Sequence, residues 1–266
     1  MQIRNYSQRS IETYIHMLRS LEEYHGTSAD EISIDQVKDF LLYWIETNGV
    51  SVSYINQIIS AVKILQKDVL GKEWESIRIK RPRRVKKLPV VLSKEEVKSM
   101  IETTRNLKHR AIFAVIYSAG LRISELTSLR PSDIDSDRKQ IRVLGKGNKY
   151  RYTLLSENTL DLLRIYWRAY KPERYLFEGQ KQGHPISRET IQVVFKHACK
   201  KTGIIKPASV HSLRHSFATH LLESGVNLKI IQTLLGHSSL RTTSIYLHVT
   251  KFDPASIRSP FDDIAG

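Results

Sequence analysis

Arg122, Lys146, His211, Arg214, His237 and Tyr246 are the residues of this 266-residue chain whose types and surroundings could do chemistry. Arg122 follows Gly120-Leu121 among the apolar Ile123 and Leu126, where a buried charge needs a partner. Glu125, three residues on, can supply one. Lys146 stands at the tip of Gly145-Lys146-Gly147-Asn148-Lys149, whose glycines permit positive φ and close approach of the backbone to another group. His211 and Arg214 fall in His211-Ser212-Leu213-Arg214-His215, with His220 further along. His211 and His215 have the i, i+4 spacing of a shared metal. No acidic residue takes the second position as a zincin requires, no cysteine is near, and Arg214 opposes a cation, so an anion between Arg214 and His211 makes better physical sense. His237 follows Gly236, and Tyr246 lies nine residues on in Thr243-Ser244-Ile245-Tyr246-Leu247-His248. One at a time, these read as a surface Arg–Glu pair, a solvated turn lysine and a half-buried aromatic.

Together they make a reactive site of a particular kind. Two arginines, a lysine and two histidines can neutralise a phosphodiester as it becomes pentacoordinate. A tyrosine hydroxyl can attack that phosphorus and store the bond energy as a phosphotyrosine. The chain has no dense carboxylate cluster for magnesium and no Gly-x-x-x-x-Gly-Lys-Ser/Thr loop for ATP, so such a site is expected to work without metal or nucleotide.

These residues must be positioned by elements that the periodicity predicts. Ile11, Tyr14, Ile15, Leu18 and Leu21 recur at helical steps until His25-Gly26. A second helix opens at Ser33 with Gln36 as a capping box and carries Val37, Phe40, Leu41 and Trp44. A third runs from about Ser53 to Leu70, with Ile55, Ile58, Ile59, Val62 and Leu65 on one face and Gly71 closing it. From Arg78 to Lys87 seven of ten residues are basic, and Pro82 and mutual repulsion keep the segment extended. Ser93 and Glu96 cap a further helix, Ala111 to Ala119 form an apolar one ending at Gly120, and residues 121–130 read as helical up to Pro131. Gln140–Leu144 and Tyr150–Leu155 read as two strands joined by a hairpin turn. Helices follow at about 157–169, 188–202, 211–224, 227–235 and 239–248. The expectation is a mainly α chain with a small antiparallel β-sheet, an α+β arrangement: a helical bundle over 1–77, a basic linker over 78–88 and a second domain over 89–266.

Composition agrees with a polyanionic partner. Forty-two Lys and Arg against 27 Asp and Glu leave a formal charge of +15, and the basic run between two folded patterns lies where a strap tracking phosphates would lie. The lone Cys199 excludes an intrachain disulfide and a multi-cysteine zinc site and fits a reducing cytoplasm. No apolar run approaches the roughly 20 residues of a bilayer span, and no apolar block follows the first residues as in a secretory signal.

On these motifs the chain resembles the tyrosine recombinases, the lambda-integrase family, and among them the Xer-type and mobile-element integrases. Gly120-Leu121-Arg122-Ile123-Ser124-Glu125-Leu126, the Gly145–Lys149 hairpin, His211-x-x-Arg214-His215, Leu235-Gly236-His237 and Tyr246 occur in the family's order. The resemblance covers nearly the whole chain. Any arm before the first helix is expected to be short, and the absence of a long insertion between the His-x-x-Arg helix and Tyr246 counts against an integron integrase.

The resemblance implies a SAM-like core-binding domain followed by a catalytic domain. It implies that Tyr246 attacks a DNA phosphate to give a 3′-phosphotyrosine and a free 5′-hydroxyl. Arg122, Arg214 and His237 would stabilise the non-bridging oxygens, Lys146 would protonate the leaving oxygen, and His211 would assist proton transfer at the tyrosine, with Glu125 supporting the arginines. It implies no cofactor and no metal. Arg78, Lys80, Arg81, Arg83, Arg84, Lys86, Lys87 and Lys149 would contact double-stranded DNA. A homotetramer would synapse two sites through a Holliday junction, with the tail Lys251–Gly266 packed on a neighbouring protomer and an accessory protein or partner recombinase as a further component. The rivals are type IB topoisomerase-like relaxation, a DNA-binding regulator with a vestigial site, and a metal nuclease.

Overall fold

The structure, a computed structural model, describes Tyr6 and residues 8–73, 88–145 and 149–250. The chain divides into two units, Met1–Lys86 and Lys87–Gly266. Mostly helical with one small sheet among the described residues, it has the α+β class expected from the periodicity.

In the first unit, α1 (Gln8–His25), α2 (Ile34–Asn48) and α3 (Val52–Ile64) close on a core that includes Met17, Leu21, Val37, Phe40, Ile55 and Ile58. Gly26, at φ 63°, ends α1. Ser33 and Gln36 cap α2 reciprocally, through 3.2 and 2.9 Å bonds to each other's backbone. Two details depart from the periodicity. Ile15, on the expected apolar face, is exposed, and Met17 is buried in its place. The last turn of the third helix is a π turn, Leu65–Val69, whose wider coil leaves Ile64 rather than Leu65 in the core.

The second unit is built around α5 (Leu107–Ala119), buried over Ala111–Ile116 and at Ala119 and therefore apolar all round. Packed near it are α4 (Lys94–Thr103), α7 (Glu157–Tyr170), α8 (Arg188–Lys201) and α9 (Val210–Glu223). Phe113 of α5 meets Phe195 of α8 edge to face at 5.9 Å, a geometry that adds about 0.5–1.5 kcal/mol beyond the area it buries. Residues 121–130 do not continue as one helix. Gly120 adopts φ 62°, Arg122 is extended, and a separate short helix, α6 (Ile123–Ser128), begins after it.

Strand β1 (Ile134–Asp135), not foreseen, pairs with β2 (Gln140–Leu144), which pairs with β3 (Tyr150–Leu154), all antiparallel. Ile141, Val143 and Thr153 face the core, whereas Leu144, Tyr150, Tyr152 and Leu154 face outward. Arg151, opposite Val143 in the register, shares the inner face. α10 (Leu228–Leu235) and α11 (Leu240–Thr243) follow, and a 3₁₀ turn over Ser244–His248 replaces the second half of the single helix expected over 239–248. Among the described residues no helix is long and apolar enough to cross a membrane.

Candidate active site

The break after α5 is where the site begins. Gly120 is held against Phe217, so closely that a Cβ on it would lie 2.4 Å from that ring, and the left-handed turn aims its carbonyl at Nη1 of Arg214, 2.5 Å away. Arg122 then caps α6. Its backbone N–H donates to Oε2 of Glu125 at 2.7 Å, and its Nη1 donates to Oε1 at 2.8 Å.

Glu125 is buried, and a second arginine grips it from the inner face of β3. Arg151 donates from Nη1 to Oε1 at 2.8 Å and from Nη2 to Oε2 at 2.9 Å, a bidentate pair. Burial alone would raise the Glu125 carboxyl. The Arg151 guanidinium, the Arg122 N–H and the Arg214 charge outweigh it and hold the group below its ordinary value.

The third component is the carboxyl end of α10, whose last carbonyls have no partners within the helix. Arg151 Nε donates to Leu234 O at 2.9 Å, and Arg214 Nη2 donates to Leu235 O at 2.7 Å. Arg122 Nη1 reaches the same Leu235 oxygen at 3.5 Å. Gly236, at φ 63°, ends the helix; a Cβ there would lie 2.7 Å from Cδ of Arg151. The chain therefore turns at once to His237, whose ring reaches Arg214 Nη2 at 3.0 Å through Nε2 and Thr243 Oγ1 at 2.9 Å through Nδ1. A guanidinium only donates, so Nε2 is the acceptor and Nδ1 carries the hydrogen. Burial and the Arg214 charge lower the His237 pKa to about 4, which leaves the ring neutral.

Arg214 and His215 are consecutive on α9 and serve different neighbours. Arg214, 1% exposed, belongs to the arginine cluster. Burial and the Arg122 charge bring it down to about 9, still protonated at neutral pH. His215 Nδ1 lies 3.1 Å from the hydroxyl of Tyr246, itself buried beside Phe217, Ile231 and Leu235. Burial pushes the phenol up, and the charges of Arg214 and Arg122 pull it part of the way back. Burial, with His211 and Arg214, lowers His215 to about 4. His211 sits at the exposed start of α9, its ring edge-on to His215 at 4.6 Å.

The structure thus brings Arg122, Glu125, Arg214 and His237 into one hydrogen-bonded cluster and Tyr246 beside it. The phenol's partner is His215, where the resemblance led one to expect His211. Arg151 and Thr243 were not singled out from the sequence. Lys149 is exposed, and its carbonyl accepts from Gly145 N at 2.8 Å to close the root of the hairpin. Lys146, the strap residues Arg78, Lys80, Arg81, Arg83, Arg84, Lys86 and Lys87, and the tail 251–266 lie outside the described residues.

With both histidines neutral, three guanidiniums against one carboxylate leave a surplus of two positive charges, which suits a phosphate better than any cation. Residues 90–252 match the phage integrase family, and residues 1–76 match the phage integrase N-terminal SAM-like domain. The chain belongs to the phage integrase family. A tyrosine recombinase of Thermosipho africanus is 36% identical over 267 residues, covering 94% of this chain and 93% of that one. Among solved structures, the XerH site-specific recombinase bound to a palindromic difH substrate in a post-cleavage complex is similar at TM-score 0.75 and 25% identity, over 93% of this chain and 78% of that one. A lambda integrase (75–356) dimer bound to a core site shares the fold at TM-score 0.77 and 18% identity, over 96% and 94%. Members of this family are DNA-cutting and -rejoining enzymes, and this recombinase is an enzyme of site-specific DNA recombination.

Proposed function

We propose that this recombinase binds double-stranded DNA and cuts it with Tyr246. The phenolic oxygen bonds to the scissile phosphorus, the P–O5′ bond breaks, and a 3′-phosphotyrosine remains. The leaving 5′-oxygen takes a proton from Lys146. The phenolic proton passes first to His215, the base it already touches, and His211 at the open end of α9 assists its onward transfer. Arg122, Arg214 and His237 hold the non-bridging oxygens. Attack by the 5′-hydroxyl of a partner strand reverses the chemistry, so bonds are conserved and neither cofactor nor metal is needed.

The observation that carries this reading is the charge balance beside the phenol. A phosphodiester brings one negative charge and its pentacoordinate transition state brings about two. The cluster's surplus of two matches the transition state better than the ground state, which is the condition for rate acceleration. For His237 to donate to the phosphate, Nε2 must exchange its present acceptor role for a donor role, a tautomer change that Arg214 makes possible by turning to the phosphate.

On the same reading, residues 78–87 cross the DNA backbone, four protomers exchange strands through a Holliday junction, and the tail from Lys251 packs on a neighbour. An accessory protein or a second recombinase completes the assembly where the target requires it. The decisive experiment incubates the chain with nicked duplexes that trap the first cleavage, bearing the target recovered from DNA crosslinked to it in its host. A denaturation-resistant adduct is expected with the parent and none with Tyr246→Phe. An adduct that persists in Y246F, or one lost on adding chelator, overturns the proposal. Supercoil relaxation without a paired-site product would point to a topoisomerase.

A further inference from the structure

Arg151 stands apart from the residues that would face the phosphate. Its side chain is 10% exposed against 34% for Arg122. Its donors are committed to Glu125 and to Leu234 O, and its stem is walled in by Gly236. Nothing about that placement suits it to touch DNA, yet it shares one carboxylate with Arg122, and Arg214 stands 3.7 Å from that carboxylate.

A carboxylate offers about four lone-pair sites. In Glu125 all four are filled: Oε1 by Arg122 Nη1 and Arg151 Nη1, Oε2 by the Arg122 N–H and Arg151 Nη2. Arg151 supplies two of these bonds. The next donor in line is Arg214, whose Nη1 stands 3.7 Å from Oε2 and is instead bonded to Gly120 O. Movement of about 1 Å would bring that pair within hydrogen-bond range. A buried carboxylate deprived of two partners attracts whatever cation is nearest.

We infer that Arg151 is a positioning residue that saturates Glu125, and so keeps Arg214 from being drawn onto the carboxylate and leaves it free to hold the phosphate. This rests on the phosphate-holding role proposed above for Arg214. The same contacts join β3, at the foot of the Gly145–Lys149 hairpin, to the end of α10 beside His237, so Arg151 ties together the two segments that flank the cluster.

The test is a double-mutant cycle on Arg151→Gln and Glu125→Gln, with two readouts. The first is the single-turnover rate of adduct formation on a nicked duplex at saturating protein. The second is the stabilisation of the free protein by orthovanadate, a mimic of pentacoordinate phosphate, followed by thermal melting. R151Q is expected to slow cleavage about 100-fold, the usual cost of disabling one preorganised donor, and to weaken the vanadate response, with little effect on duplex affinity. Removing the carboxylate's charge should undo the damage: E125Q/R151Q should cleave at least about tenfold faster than R151Q and within about threefold of E125Q. A role in folding alone predicts the opposite, a double variant no better than R151Q. If R151Q fails to fold, the comparison of E125Q with E125Q/R151Q decides, and a further loss beyond about threefold overturns the inference. A parent that forms no adduct counts against the proposed reaction, while the vanadate cycle still judges Arg151.

Discussion

The Nδ1 of His215 and the hydroxyl of Tyr246 lie 3.1 Å apart, and the residue before His215 on the same helix is the most buried arginine of the cluster. Phenol and guanidinium are therefore placed by one rigid element. Replacing His215 with Phe keeps the ring's bulk and removes the acceptor. Adduct formation is expected to fall by about 10²–10⁴, the range of general base catalysis, with DNA affinity unchanged in a gel-shift assay.

The cleavage rate should also report that ring's titration. His215 and His237 are both held near 4, so between pH 6 and 8 neither changes charge and neither contributes a slope to the rate. Below about pH 5 protonation of His215 removes the acceptor, and the single-turnover rate should decline. A rate that rises as the pH falls from 6 to 4 would count against His215 as the base.

Stability should follow the same two groups. Each imidazole binds a proton more readily in the unfolded chain, at about 6.5, than in the folded one, at about 4. The unfolded state thus takes up more protons throughout that window, and folding is penalised as the pH drops from 6.5 to 4. Urea midpoints measured across this range should decline, and His215→Phe should flatten the decline.

Gly120→Ala tests the turn that aims the Gly120 carbonyl at Arg214. The added methyl would meet Phe217 at 2.4 Å in a conformation that L-residues avoid, so a loss of about 1–3 kcal/mol is expected in chemical denaturation. Cleavage should fall further than stability accounts for, because relief of the clash shifts the carbonyl that Arg214 Nη1 bonds.

Two expectations concern residues beyond the described ones. Replacing Arg78, Lys80 and Arg81 with Ala should reduce the slope of log affinity against log salt by about three, close to one per phosphate contact. Deleting residues 252–266 should weaken synapsis of two sites more than binding to one. Unchanged recombination by the truncated chain would remove the tail from the assembly.

Much of this was legible because local signals and tertiary packing agree. Ser33 with Gln36 and Ser93 with Glu96 mark helix starts by a mechanism confined to four residues, and both appear where expected. Arg151 was missed because a strand was read for its apolar residues. In β3 these, Tyr150, Tyr152 and Leu154, point outward, and the inner face carries Arg151 and Thr153. Apolar-in alternation would have placed the strand the wrong way round; the inward acceptors, Glu125 and Leu234 O for Arg151 and Ala119 O for Thr153, explain the inversion. The exchange of His215 for His211 at the phenol has a different cause. Both lie in one motif, and the fold of the 3₁₀ turn, which spacing along the chain does not encode, decides which ring meets Tyr246.

Successive residues of an α-helix diverge by about 100°, and α9 uses that angle to serve two clients, the guanidinium cluster and the Tyr246 phenol, from adjacent positions. Inserting or deleting a single residue between the helix start and Arg214 would rotate both away together. Evolution, or an engineer altering target choice, must treat the opening turns of α9 as a shaft whose phase cannot slip.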